Sequence, residues 1–203
     1  GYVTIVVFLV VNGLFLWVID GDFNVFDSNI AGLDGLFVIA PWVFLFLISA
    51  ITMKMFAEEK KNGTIELLLT KPISDLSIIM AKFLAGLVLV VLSVLPTMIY
   101  MIAVWRLGLP QGNLDIGGIL GSYIGLIFLG AVFTSIGIFS SSLTNNQIIA
   151  FIVSMLLCFI IYIGFEFLSR VPFLSKADLL IKSLGIDYHY SSISRGVIDS
   201  RDV

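Results

Sequence analysis

"IGGILGSYIGLIFLGAVFTSIGIFSSSLTNNQIIAFIVSMLLCFIIYIGF", residues 116–165, runs for 50 residues without a charged side chain. As one α-helix it would measure about 75 Å at 1.5 Å per residue, far more than a bilayer core of about 30 Å. The run therefore turns once. Its only polar cluster, "SSSLTNNQ" from Ser140 to Gln147, marks the turn. Backbone groups in lipid must be bonded internally, so the two arms, 116–139 and 147–168, are predicted to be membrane-crossing helices.

The rest of the chain fits that reading. It has 203 residues, 59% hydrophobic and 12% charged, with a mean hydropathy of +1.11. Soluble domains carry about 25% charged residues. Uncharged runs at 1–19, 35–53 and 83–105 place three further spans, taken with their helical extensions as 1–19, 35–57 and 75–105, the last capped at Ser74. Five spans make an all-α, polytopic integral membrane bundle. A net charge of −3 argues against a nucleic-acid partner. The lone cysteine, Cys158, lies in an apolar run and reads as a small packed hydrophobe.

The loops orient the bundle. The first, Asp20–Asp34, holds four aspartates and no Lys or Arg. The second holds Lys54, Lys60, Lys61 and Lys71. By the positive-inside rule the second loop is cytoplasmic, and with it "SSSLTNNQ". The tail, 169–203, is then extracytoplasmic, although its five basic residues pull mildly the other way. Within it, Ser175 and Asp178 form a capping box, and Ala177, Leu180, Ile181 and Leu184 repeat at helical spacing. This predicts a short amphipathic helix lying on the membrane.

Pro41 and Pro96 fall inside spans, where each is either a static bend or a hinge. Gly117, Gly121 and Gly125 form G-xxx-G-xxx-G, which allows close helix packing, within the bundle or between subunits. Soluble-enzyme chemistry is not visible. His189 is the only histidine, there is no Cys/His cluster for zinc, no G-x-S-x-G and no phosphate-binding P-loop. Spans nearly free of charge at mid-depth also lack the carboxylates of a proton-driven carrier. Lys82 lies within snorkelling reach of the cytoplasmic surface.

The densely charged stretch "FAEEKKNGTIELLLTKPIS", residues 56–74, stands apart. Thr64 or Asn62 can cap a short helix, Glu66 then sits near its positive N-terminus, and Pro72 stops it. The leucines need cover, either lipid headgroups or a pocket on another protein.

This stretch resembles the first cytoplasmic loop of type-2 ABC transporter permeases, matching at Glu59, Lys60, Gly63, Thr64, Glu66, Leu67, Leu68 and Pro72. "APWVFLFLISAITMKMFAEE", "GSYIGLIFLGAVF", "GIFSSSLTNNQIIAF" and "SISRGVID" are similar to the gliding-motility-associated permeases of Bacteroidetes. The resemblance implies a permease domain of the type-2 exporter class, five spans present of an expected six, with the preceding interface helix also expected to be missing. It implies that 58–74 is a coupling segment that meets a cytoplasmic ABC ATPase dimer. No cofactor is then expected in this chain, ATP-Mg being held by the ATPase. A second permease copy or a related permease and the lipid bilayer complete the expected partners, in a bacterial inner membrane crossed several times. The implied activity is export linked to gliding motility. The alternative is a non-transporting scaffold that passes ATPase-driven motion to envelope machinery.

Overall fold

The computed structural model describes residues 1–27, 32–70, 72–108, 114–169 and 185–193, with all their side chains but those of Leu68 and Leu69. The expected surface helix with Ala177, Leu180, Ile181 and Leu184 lies outside the described residues. The helices are α1 Tyr2–Trp17, α2 Asp34–Thr52, α3 Ala57–Lys61, α4 Thr64–Leu69 and α5 Asp75–Val94. They continue with α6 Met98–Leu107, α7 Ile116–Ser142, α8 Gln147–Phe159, α9 Phe165–Ser169 and α10 Ile186–Ile193.

Among the described residues, four stretches are long and apolar enough to cross a membrane: Asp34–Lys61, Asp75–Leu107, Ile116–Ser142 and Gln147–Ser169. The expected first span is represented by α1, apolar but only 16 residues long. That is about 24 Å of helix, short of the bilayer core. Its end is a tight turn in which Val18 N–H and Ile19 N–H both bond the Leu14 carbonyl.

Two ends of the bundle follow from the chain direction. The lysine end gathers the close of α2, α3, α4, the start of α5 and the α7–α8 turn. The aspartate end gathers Asp34, the start of α7, α9 and α10. Helix α7 is the central element and packs on α2, α5, α8 and α10. It extends three residues past the expected bound, taking Ser140–Ser142 into its last turn. Residues 143–146 make the reversal, and Asn146 caps α8 through its side chain.

Small residues set the tightest crossings. A Cβ on Gly137 would lie 2.1 Å from Thr52 Oγ1, one on Gly130 2.5 Å from Val90, and one on Gly86 2.6 Å from Thr134. The α2–α7 and α5–α7 contacts therefore bring backbones together, as expected where lipid supplies no hydrophobic force between helices. Buried hydroxyls are satisfied within their own helices: Thr134 donates to Gly130 O and Thr52 to Ile48 O. Ser49 Oγ donates to Leu45 O, and its single proton is then used, so the 2.9 Å contact with Ser154 Oγ is donated by Ser154 from α8. Rings fill the remaining core, with Phe8 stacked on Phe44 at 4.9 Å and Phe37 edge-on to Tyr123 at 5.1 Å. Cys158 is buried among them.

The two prolines behave differently. Pro96 sits in a 3-10 turn, Leu95–Thr97, that separates α5 from α6. Pro41 lies inside an unbroken α2. Proline has no N–H, so the carbonyl four residues back, that of Phe37, loses its helical donor. Tyr190 Oη of α10 donates to that carbonyl at 2.8 Å. The supply of a donor from outside the helix satisfies the carbonyl that Pro41 would leave unpaired within α2. Residues 160–164 form a π-turn between α8 and α9, for which the sequence carries no local mark.

Candidate functional site

Helix α2 does not run into α3. The chain turns through residues 53–56, and α3 begins with N–H groups that have no acceptor in their own helix. Ser141 of α7 supplies it. Its hydroxyl accepts from Phe56 N–H at 3.0 Å and Ala57 N–H at 3.1 Å, and it donates to Met53 O at 3.1 Å. One hydroxyl thus satisfies both sides of the break.

Charged groups add two more ties. Lys82 of α5 pairs with Glu59 at 2.6 Å, donates to Met55 O and lies 4.6 Å from the centre of the Phe56 ring. Its side chain is 17% exposed and that of Glu59 33%. The ammonium is therefore held inside the protein at the lysine end rather than extended to water. Lys60 donates to Ser142 O at the end of α7. Of the residues singled out in this stretch, Glu59 and Lys60 thus face inward and bind α3 to α5 and α7.

The remaining ones build the outward part. Asn62 is the last residue of the α3 turn, with its N–H on Glu58 O. Gly63 follows at φ +68°, a backbone region that side chains disfavour. This is the physical content of the Gly-Thr pair: the left-handed residue ends α3 and redirects the chain. Thr64 opens α4 and its hydroxyl donates to Glu59 O at 3.3 Å. Glu66 lies in the first turn of α4, exposed, where a carboxylate is favoured. Leu67 is 67% exposed. Leu68 is in α4, its side chain outside the description, and Pro72 is exposed before the cap of α5. Ser74 Oγ accepts from Ser77 N–H at 3.3 Å, forming that cap.

The glycine motif of α7 lies at the other end. Gly125 packs under Tyr190 and Ile193 of α10, with a virtual Cβ 3.2 Å from the Tyr190 ring; Gly117 neighbours only its own capping residue, Asp115. Gly121 is buried. The closest helix approaches use Gly86, Gly130 and Gly137 instead. Beside α10 a cavity of about 350 Å³ is lined by Asp34, Trp42, Tyr162, Glu166, Asp187 and Tyr190 among others. Burial there holds the Asp187 carboxyl above the ordinary aspartate range. The hydroxyl of Tyr162 opposes this and the charge of Glu166 adds to it. Among the described residues no group of three or more His, Cys, Asp or Glu is placed to hold a metal ion.

The roles that sequence reasoning passed over are those of Ser141 and Tyr190 and the pairing of Lys82, read only as a snorkelling cation, with Glu59. Each joins groups far apart in the chain. No local spacing could signal them, although Ser141 stands in the polar cluster that marks the turn.

No curated protein and no solved structure matches the chain. A family model, ABC-2 family transporter protein, matches residues 4–182. It covers most of the chain, including the α3–α4 elbow and its ties to α5 and α7. The chain belongs to the ABC-2 transporter family, as a membrane-spanning permease subunit of the kind that works with an ATPase partner.

Proposed function

We propose that residues 58–74 are the coupling segment of an exporter permease, and that α4 docks in a groove of a cytoplasmic ABC ATPase dimer that holds ATP-Mg. The lysine end then faces the cytoplasm of a bacterial inner membrane, and a second permease copy or a related permease completes the transporter. The similarity to gliding-motility-associated permeases supports a link to that machinery. One observation carries the reading: α4 presents Leu67 to the outside while its base, α3, is tied to α5 and α7 by Glu59, Lys60 and the Ser141 hydroxyl. An element resting on headgroups needs no such anchorage. An element that transmits force does.

A leucine buried in a protein groove contributes about 1.5–3 kcal/mol, so two suffice to decide a weak dock. Leu67→Ala with Leu68→Ala is expected to leave the permease inserted and to lose both ATPase copurification and stimulated ATP hydrolysis. Glu66→Ala weakens docking less if it acts only on the helix N-terminus, by about 0.3–1 kcal/mol. Unchanged recovery and stimulation in the double leucine variant would sink the coupling reading.

A further inference from the structure

An apolar groove of about 630 Å³ runs beside the elbow, between α5, α7 and α4. Its walls are Phe56, Ile78, Ile79, Phe83, Ile138 and Phe139. Ser135 marks the deep end and Ser142 the rim. Helices α5 and α7 are antiparallel here, so Asp75 and Ser142 share one end and Phe83 and Ser135 the other. Eight residues of helix make the groove about 12 Å deep. Both walls belong to helices of membrane-crossing length, Asp75–Leu107 and Ile116–Ser142, and the rim coincides with their ends. The mouth thus opens where lipid headgroups begin, and the floor lies at acyl-chain depth.

The walls of the groove select the occupant. They are apolar and both belong to membrane-crossing helices, so the occupant is hydrocarbon. A single extended hydrocarbon chain fits. Charge selects the headgroup. Among the described residues the rim carries one cation, Lys60, and one anion, Asp75. Lys60 spends one of its three donors on Ser142 O and keeps two for a phosphate. Asp75 is exposed at the start of α5 and accepts only.

We propose that this groove binds one zwitterionic aminophospholipid, with an acyl chain between α5 and α7, its phosphate on Lys60 and its primary ammonium on Asp75. An anionic lipid brings a second negative charge beside Asp75. A choline lipid has the right charges but no N–H to donate to the carboxylate, and so forms no charge-assisted hydrogen bond there. The inference holds whichever partner meets α4, because it concerns the lipid side of the elbow.

The test is native mass spectrometry of the full permease after equilibration with equal amounts of phosphatidylethanolamine, phosphatidylcholine and phosphatidylglycerol of one chain length. Phosphatidylethanolamine is expected to be retained roughly two- to five-fold over each of the others, the scale of an exposed ion pair. Asp75→Asn, an exposed change, abolishes its advantage over phosphatidylcholine. Lys60→Gln lowers retention of all three, and Ile79→Trp fills the groove and does the same. Equal retention of the three lipids overturns the proposal. So does an ethanolamine preference that survives Asp75→Asn, or the absence of any retained lipid, the result if a second copy covers the groove.

Discussion

Pro41 and Tyr190 are 149 positions apart and share one carbonyl, that of Phe37. The proline withholds the helical donor and the tyrosine replaces it. A carbonyl left unpaired in a buried site costs about 1–3 kcal/mol. Tyr190→Phe is therefore expected to destabilise the docking of α10 by about that amount, read as faster amide exchange over 186–193. In a Pro41→Ala background residue 41 regains an N–H for Phe37 O, and the same tyrosine change becomes much cheaper. Additive effects of the two substitutions would mean that the hydroxyl contributes nothing to the proline site. Asp187 gives α10 a second dependence. Burial raises its pKa above the ordinary aspartate range, so docking favours the protonated form. Among the described residues, the titratable groups that share its cavity are Tyr162, Glu166, Asp34 and Tyr190, none of them cationic. Its contribution is fully present below the ordinary aspartate range and is lost as pH rises through the raised value. Exchange over 186–193, corrected for the intrinsic rate, should thus accelerate as the pH rises above the ordinary aspartate range. Asp187→Asn should flatten the profile, and a profile that stays steep would place the titrating group elsewhere.

At the scale of elements, legibility in the sequence divides by distance. The cap at Ser74, the reversal after Ser142 and the Gly63 turn are local, and local chemistry writes them directly. Asn146 and Asp115 cap their helices for the same reason. The break at 53–56 was not legible, because Phe56 and Ala57 find their acceptor on Ser141, more than eighty residues on. Nor was the Lys82–Glu59 pair: Lys82 alone reads as a snorkelling cation, and only the fold brings the carboxylate to it. The G-xxx-G-xxx-G pattern was visible, yet Gly130 and Gly137, seven apart on the next turns, make the closer crossings. Spacing reveals a smooth face, and the partner helix decides which part of it is used. Gly137→Ala places a methyl 2.1 Å from Thr52 Oγ1 and 2.7 Å from Thr52 Cβ. Overpacking of this kind costs about 1–3 kcal/mol, so the thermal unfolding temperature should fall. Adding Thr52→Ala removes the nearest atom and keeps the Cβ, so it should recover part of the loss and not all of it. Full tolerance of Gly137→Ala would show that α2 and α7 are free to separate.

For the whole molecule, orientation rests on the lysines of the α3–α4 elbow against the aspartates of the opposite loop. Asn62 and Asn145 lie at the lysine end, both exposed, and Asn24 and Ser191 belong to the other. In a Cys158→Ser background, single cysteines at Asn24 or Ser191 are expected to react with an impermeant reagent in intact cells, and cysteines at Asn62 or Asn145 to stay protected. Asn24 is itself nearly buried, so Ser191 is the more sensitive of the outer pair. Labelling at Asn62 from outside would reverse the bundle and remove the elbow from any cytoplasmic partner.

The hydroxyl of Ser141 also fixes what moves with what. Covalently, α3 is the continuation of α2. The N–H groups of Phe56 and Ala57 and the Met53 carbonyl, however, all end on Ser141 of α7, and Glu59 and Lys60 reach α5 and α7. The peptide link to α2 is then a tether, and the elbow is a crank arm keyed to a different shaft. A push on α4 would turn α5 and α7 first. Helix α2 would be drawn along through the crossing at Thr52 and Gly137, so the order of motion would run against the order of the chain.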